Sequence, residues 1–136
     1  MYKRQVCLVL IFTQWQADFD AIRQALYGRR EGSYANIGEK NAVEKWNSRE
    51  LDVLAMHPLS GGHGLNLQYG GSLIIWYAMP WSLSQYDQGN ARLPREGQTE
   101  KVDVVHIVAE GTIDEEMVEK LKIKGIAPRE WREAHV

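Results

Sequence analysis

Residues 73–98 read LIIWYAMPWSLSQYDQGNARLPREGQ, and this stretch decides the fold because a strand, a link and a polar helix follow one another in it. The apolar run 73–77 predicts a buried strand that Pro80 ends. Ser82 is placed to cap the next helix, and Gln85, three residues later, can complete a capping box. A buried strand that leads directly into a helix is typical of an α/β domain.

The helix that begins at Ser82 leads into an arginine-bearing stretch, residues 88–98, which we call the arginine segment. Gln88 and Arg92 are four residues apart and would share one helical face. Arg95 is expected in the exit turn, because Pro94 disfavours helical geometry at the preceding residue. We expect the two guanidiniums and the amide to converge, which suits a multiply charged anion because arginine keeps its charge and its fork of donors. The alternative is a solvated face with two surface arginines.

Upstream, residues 60–68 read SGGHGLNLQ and form what we call the glycine segment. Three glycines in four positions make a poor helix or strand interior, so the backbone there adopts conformations that side chains forbid or comes very close to a ligand. Phosphate is the usual ligand of such a segment; a tight turn after a strand is the alternative. His63 has no cysteine or carboxylate at ligand spacing, and we therefore expect no metal site.

The two segments together resemble the second, C-terminal RecA-like lobe of superfamily 2 helicases, specifically the Swi/Snf-type ATPases and their phage or prophage relatives. The glycine segment is similar to helicase motif V (GGxGLNL), and the arginine segment to motif VI (QxxxRxxRxGQ). Residues 9–15, VLIFTQW, are similar to the motif IV strand, and the resemblance extends from about Val6 to Lys124. The chain departs from the family pattern at residues 89–91, GNA, where Ala-x-Asp or Ala-x-Gly is usual, and at Pro94, where His is common.

This resemblance implies a role for each residue of the two segments. Arg95 would be the arginine finger on the γ-phosphate of ATP, assisted by Arg92 and Gln88, and such fingers are worth roughly 10³–10⁵ in rate. The residues that would face the phosphates of a DNA strand are Ser60, Gly61, Gly62 and His63. The residues that would bind the nucleotide or couple it to the DNA are Gly64, Asn66, Arg92 and Arg95.

The cofactor implied by the resemblance is ATP, with Mg²⁺ held by a first lobe that this chain lacks. The sequence contains no GxxxxGK[ST] loop to cradle phosphates and no acidic Walker B strand for the metal. The implied partners are DNA and the N-terminal RecA-like lobe of the same parent protein, with no membrane. The implied function is the C-terminal motor lobe of an ATP-dependent DNA helicase or translocase, cytoplasmic in a bacterial or phage-infected cell, and inactive toward ATP when alone.

Two alternatives stay open. One is a catalytically inactive, helicase-like module that binds nucleic acid or a protein. The other is the motor lobe of a restriction-type translocase, which shares the superfamily.

Composition limits these hypotheses. The chain has 136 residues, one cysteine and a net charge of −2, which fits one domain in a reducing compartment. Because this charge provides no overall attraction to nucleic acid, DNA binding must come from a local patch. We expect a domain over residues 6–125, preceded by a non-native or disordered lead at 1–5 and followed by a tail at 126–136 that is frayed or docks on a missing partner domain.

The remaining elements follow from hydrophobic patterns. Apolar runs predict buried strands at residues 6–12, 51–56, 73–77 and 102–108. Helical spacing predicts helices near Phe19 to Leu26, ended by Gly28, near Ala42 to Trp46, and after Thr112. The fold predicted is α/β, a RecA-like (P-loop NTPase-type) three-layer domain with a mostly parallel sheet and helices on both faces.

Two local expectations concern the ends of this pattern. Residues 29–39 read as a loop in which the usual edge strand of the family is missing or reduced. Glu115 would complete a capping box with Thr112, and the last helix would direct a stripe inward. The residues of that stripe are Ile113, Met117 and Leu121.

Overall fold

The computed structural model describes residues 8–28, 32–60, 65–80 and 82–123, with side chains described to residue 120. Within these ranges strands and helices alternate along most of the chain. The elements are β1 (Val9–Phe12), α1 (Gln16–Ala25), β2 (Tyr34–Asn36), α2 (Ala42–Asn47), β3 (Val53–Met56), β4 (Leu73–Trp76), α3 (Leu83–Asn90), β5 (Asp103–His106) and α4 (Ile113–Ile123). None of the helices in these ranges is long and apolar enough to cross a membrane.

The five strands form one sheet in the order β2-β3-β1-β4-β5, and each neighbouring pair is parallel. This confirms the predicted α/β class and parallel sheet. The central strand β1 places Leu10 beside Leu54 on one side and Ile74 on the other. All three side chains are fully buried. Because Cα partners in register point to the same face, these residues define one side of the sheet.

That side carries the main hydrophobic core. Phe12 and Trp76, two residues further along their strands and therefore on the same face, are also fully buried. The helix α3 lies on these two rings, and α2 and α4 add Trp46 and Met117 to the same cluster. Full burial of an aliphatic or Phe side chain contributes roughly 1.5–3 kcal/mol of transfer free energy, so this face holds much of the stability of the fold.

The opposite face of the sheet is covered by α1. Tyr34 of β2 is in register with Val53 and therefore points away from the main core. Its hydroxyl donates to the Phe19 carbonyl of α1 at 3.4 Å, and its ring lies 5.1 Å from the Arg23 guanidinium. Helices therefore cover both faces, and the predicted three-layer arrangement is confirmed.

Some local predictions need correction. The region 29–39 is not entirely loop, because β2 occupies Tyr34–Asn36; it is a three-residue edge strand, so the usual edge strand is reduced rather than missing. The predicted capping box at the start of α4 is wrong, because Asp114 and not Glu115 supplies the carboxylate. The Asp114 amide donates to Thr112 Oγ1 at 3.3 Å, and the Ala109 amide donates to the Asp114 carboxylate. Glu115 makes only a backbone contact there.

The predicted inward stripe of α4 is also wrong at its first position. Ile113 is 51% exposed, whereas Met117 and its neighbour Val118 are buried in the core cluster. The side chain of Leu121 lies outside the described residues, as do Val6, Trp81 and the predicted lead and tail.

Candidate functional site

The glycine segment follows β3 and the helix of the arginine segment follows β4, with β1 between these strands in the sheet. In a parallel sheet all strands end at the same edge, and ligands of open α/β sheets bind outside that carboxyl edge. The glycine segment and the helix that leads into the arginine segment therefore start where a binding site is expected.

The helix α3 begins as predicted and ends earlier than predicted. Ser82 has extended backbone angles, and its Oγ accepts a hydrogen bond from the Gln85 amide at 3.1 Å. The reciprocal half of the box is absent, because Gln85 Oε1 is buried and has no hydrogen-bond partner among the described residues. The helix ends at Asn90, so Arg92 lies beyond it and the predicted helical face shared by Gln88 and Arg92 is wrong.

After α3 the chain continues in tight turns that bury Leu93. The Arg92 amide donates to the Gly89 carbonyl at 3.2 Å, and the Arg95 amide donates to the Leu93 carbonyl at 2.9 Å. Leu93 is fully buried, and its burial provides a physical reason for the chain to leave the helix axis before Pro94.

Arg92 is almost completely buried, with 3% of its surface exposed. One terminal nitrogen, Nη2, donates to the Ser60 carbonyl at 3.2 Å and to the Pro58 carbonyl at 3.5 Å. The guanidinium thus supports the beginning of the glycine segment.

Arg95 is only partly buried and holds the other side of the same segment. Its Nη1 donates to the Leu65 carbonyl at 3.2 Å, and its Nε donates to the Ala91 carbonyl at 2.9 Å. The two arginines therefore bracket residues 61–64. Those four residues, Gly61, Gly62, His63 and Gly64, lie outside the described residues.

The two guanidiniums are close enough to affect each other electrostatically. Burial lowers the pKa of Arg92 below its usual value, and the positive charge of Arg95 lowers it further. Neither effect removes the charge of an arginine at neutral pH. Two like charges in a partly desolvated place repel each other, and an anion in contact with the exposed one, Arg95, would reduce the free-energy cost of that repulsion.

Gln88 does not join the arginines in this structure. Its side chain is exposed, and its Nε2 donates to Ser84 Oγ, one turn earlier on α3, at 3.1 Å. The predicted convergence is thus wrong for Gln88, while Arg92 and Arg95 contact backbone carbonyls on either side of the same residues, 61–64. Asn66 also has an exposed side chain, and its carbonyl accepts from Asn47 Nδ2 at 2.7 Å.

Residues of α2 and its end, which the sequence did not single out, hold the continuation of the glycine segment. Trp46 Nε1 donates to the Leu67 carbonyl at 2.8 Å, and Arg49 Nε donates to the Tyr69 carbonyl at 3.3 Å. Residues 65–67 belong to no strand or helix, so their carbonyls need partners of this kind. No spacing rule could have identified these donors, because they lie about 20 positions away in sequence.

Gln98 is a further contact residue, and the motif resemblance did include it, without a role. Its Nε2 donates to the Gln68 carbonyl at 3.0 Å and to the Gly71 carbonyl at 2.9 Å. In the other direction, Gln68 Nε2 donates to the Glu96 carbonyl at 3.3 Å. Gly97 permits this approach, since its φ is +96° and a Cβ there would lie 2.6 Å from the Tyr69 ring.

One of the departures from the family pattern, Gly89, has a structural reason. A Cβ at Gly89 would lie 2.7 Å from the Trp76 ring, so there is no room for the usual alanine. The next residue, Asn90, accepts a hydrogen bond from Trp76 Nε1 on its Oδ1 at 2.8 Å. The sequence Gly89-Asn90 therefore fits the large indole at the end of β4.

The chemistry that this arrangement supports is contact with an anion by the partly exposed guanidinium of Arg95 at the carboxyl edge of a parallel sheet, beside the buried guanidinium of Arg92. Among the residues that the structure describes, no group of three or more His, Cys, Asp or Glu side chains could hold a metal ion. Such a fold and such a pair of segments define a RecA-like lobe.

Comparison with known proteins narrows this class. The phage protein p41 of Acyrthosiphon pisum secondary endosymbiont phage 1 is 33% identical over 121 residues, which are 85% of this chain and 25% of that protein. The chromatin-remodeling ATPase INO80 of Mycosarcoma maydis is 32% identical over 117 residues, 81% of this chain and 6% of its own length. The CHD3-type chromatin-remodeling factor CHR7 of Arabidopsis thaliana is 29% identical over 130 residues. No family model matches the chain.

Among solved structures, the C-terminal part of the Fun30 ATPase domain has the same fold, with a TM-score of 0.70 at 18% identity over 83% of this chain and 38% of that one. The chain spans a quarter or less of the curated relatives described above. It belongs to the Swi/Snf-type ATPases of superfamily 2, as a C-terminal RecA-like lobe.

Proposed function

We propose that this lobe is the second half of an ATP-dependent motor that moves on DNA as a helicase or translocase. The observation that carries the proposal is the pair of arginines, Arg92 and Arg95, which hold the backbone on both sides of residues 61–64. Such a site contributes positive charge to a nucleotide and leaves the cradle for its phosphates to another lobe. ATP and Mg²⁺ are then held by an N-terminal RecA-like lobe of the parent protein.

On the nucleotide side, Arg95 acts as the arginine finger. Its guanidinium is partly exposed and is held by neutral carbonyls of Ala91 and Leu65. When the lobes close, a γ-phosphate competes with the Leu65 carbonyl, and a charged acceptor forms the stronger hydrogen bond. Arg92 remains buried and keeps the site in place, while Gln88 assists from the exposed side of α3.

On the DNA side, the glycine segment meets the phosphates of one strand. The residues proposed for these contacts are Ser60, Gly61, Gly62 and His63, through backbone amides and the hydroxyl. Gly64 and Asn66 connect this contact to the nucleotide, since the carbonyl between them, that of Leu65, is the one that Arg95 holds. The phage relative supports a cytoplasmic setting in a bacterial or phage-infected cell.

The test uses a two-lobe protein in which this chain follows the first lobe of its parent or of the phage relative. Arg95→Ala is expected to lower DNA-stimulated ATP hydrolysis by roughly 10³-fold or more while leaving ATP binding by the first lobe nearly unchanged. Arg95→Lys should restore little, because a point charge cannot replace a two-pronged donor.

Arg23→Ala is the matched control. Arg23 is an exposed arginine of α1 that pairs with Glu39 at 3.0 Å on the other face of the sheet, and its removal should leave turnover intact. If Arg95→Ala keeps near-normal turnover at saturating DNA, the finger assignment is refuted and Arg92 becomes the candidate. If the unaltered two-lobe protein binds DNA but never hydrolyses ATP, the lobe is a binding module instead.

A further inference from the structure

The continuation of the glycine segment to residue 71 and the arginine segment run side by side in the same direction. Arg92 contacts the carbonyl of Ser60, and Arg95 contacts that of Leu65. Further along, Gln98 contacts the carbonyls of Gln68 and Gly71. Since residue 60 follows β3 and residue 71 precedes β4, the contacts pass from the carboxyl edge of the sheet to its amino edge.

The contacts between the two segments use different donors at the two edges of the sheet. At the carboxyl edge the donors are charged guanidiniums, for which an anion competes with the carbonyls. At the amino edge the donors are neutral amides, for which a phosphate offers no comparable gain. The two ends therefore differ in how they respond to an anionic ligand.

We propose that Gln68 and Gln98 form an amide clasp, which fixes the amino-edge end of the two segments and thereby positions the arginines against the glycine segment. Gln98 Nε2 reaches a third carbonyl, that of Leu93, at 3.3 Å, and its Oε1 accepts from the Glu100 amide at 3.0 Å. The second bond fixes the orientation of the Gln98 amide, so that its nitrogen faces the carbonyls. Gln68 is 8% exposed and donates to the Glu96 carbonyl in return.

The clasp makes Gln98 a positioning residue for the proposed motor, and this consequence rests on the proposed function. With the amino-edge end fixed, a change in the position of Arg95 is passed to the Leu65 carbonyl and so to the adjoining residues 61–64. Without the clasp the two segments can shift separately. The nucleotide site then keeps its arginines, but DNA bound at the glycine segment stimulates hydrolysis less.

The first experiment uses the 136-residue chain alone, without ATP or DNA. Gln98→Met keeps the length of the side chain and removes its donor and acceptor. Backbone hydrogen exchange measured by mass spectrometry should become faster in residues 65–71 and in residues 93–98, the two stretches that the clasp joins, while the strands keep their protection. Gln24→Met, at an exposed glutamine of α1, is the control and should change neither segment. If Gln98→Met speeds exchange only in residues 93–98, the clasp is refuted.

The second experiment measures ATP hydrolysis of the two-lobe protein with and without DNA. In Gln98→Met the ratio of DNA-stimulated to DNA-independent rates should fall by about tenfold, within the range usual for coupling between two sites, because the DNA-stimulated rate falls more than the DNA-independent rate. Gln68→Met, which removes only the return bond to Glu96, should lower the ratio less and serves as the milder variant if Gln98→Met folds poorly.

The outcomes separate the two proposals. An unchanged ratio in Gln98→Met, despite faster exchange in both segments, refutes the positioning role. Equal losses with and without DNA also refute it, since they indicate general damage to the lobe. If the unaltered two-lobe protein hydrolyses no ATP, the proposed function fails, and the hydrogen-exchange result alone decides whether the clasp exists.

Discussion

Replacing Gly89 by alanine should destabilise the lobe, although the same change usually stabilises a helix. A Cβ at this position would lie 2.7 and 2.8 Å from two atoms of the Trp76 ring and 3.1 Å from Phe12. Neither ring can move away, because both are fully buried and Trp76 also donates to Asn90. Alanine gains about 1 kcal/mol over glycine inside a helix, but overpacking a core costs about 1–3 kcal/mol.

Two contacts below 3.0 Å against rings that cannot move indicate a cost at the upper end of that range. The net loss expected is therefore about 1–2 kcal/mol in the free energy of unfolding. For a domain of this size the midpoint of thermal unfolding should fall by roughly 3–8 °C. Urea unfolding followed by circular dichroism measures the free energy, and Gly38→Ala, where a Cβ would meet nothing, is the control.

A double-mutant cycle tests the cause. In a Trp76→Phe background the obstructing part of the ring is gone, so Gly89→Ala should be neutral or stabilising there. The coupling between the two sites should be about 1–3 kcal/mol. If Gly89→Ala stabilises the unaltered chain, or costs the same in both backgrounds, the packing explanation for the unusual glycine of the arginine segment is refuted.

Two further predictions concern His106 and Gly97. Burial lowers the pKa of His106 from 6.5 to about 4, so the unfolded chain binds a proton between these values that the folded chain excludes. The free energy of unfolding should therefore fall as the pH is lowered from 7 to about 4, and this group should account for about 3 kcal/mol of the loss. Urea unfolding at several pH values should show a shallower decline in His106→Phe than in the unaltered chain. An equal decline in the two proteins would exclude His106 as the cause. Gly97→Ala should lower the free energy of unfolding by about 1–2 kcal/mol because the φ of Gly97 is +96°. Since Tyr69 is half-exposed and can turn aside, most of this loss should persist in a Tyr69→Ala background. A full recovery in that background would mean that the ring contact is the cause.

The sequence predicted the sheet well because its strands are apolar runs, which are local patterns. It predicted the edge strand β2 poorly because Tyr34–Asn36 is only three residues long and lies in a polar, glycine-rich stretch. That strand is stabilised by backbone pairing with β3, which no local pattern of residues 34–36 reports.

The candidate site was predictable in its charges and less so in its geometry. The glycine segment follows β3, and the helix that leads to Arg92 and Arg95 follows β4, the next strand of the chain. This order was sufficient to predict that the two arginines lie near the glycine segment. The displacement of Gln88 depends on where α3 ends, and that depends on the burial of Leu93. The indole and amide donors that hold the segment backbone were not predictable, because a single tryptophan or glutamine gives no sign of which distant carbonyl it will reach.

The dependence of residues 65–71 on side chains from elsewhere has a consequence for how the chain folds. These residues bond to partners 19 to 21 positions upstream, in α2 and at its end, and 27 to 30 positions downstream, in the arginine segment. The end of α2 and the arginine segment must both be in place before residues 65–71 gain these contacts. The chain entropy of closing the two intervening loops is therefore lost before the contacts form. The stretch should therefore order late, after the folding transition state. Weakening its contacts would then accelerate unfolding far more than it slows folding, and the lobe could loosen here while the sheet remains intact.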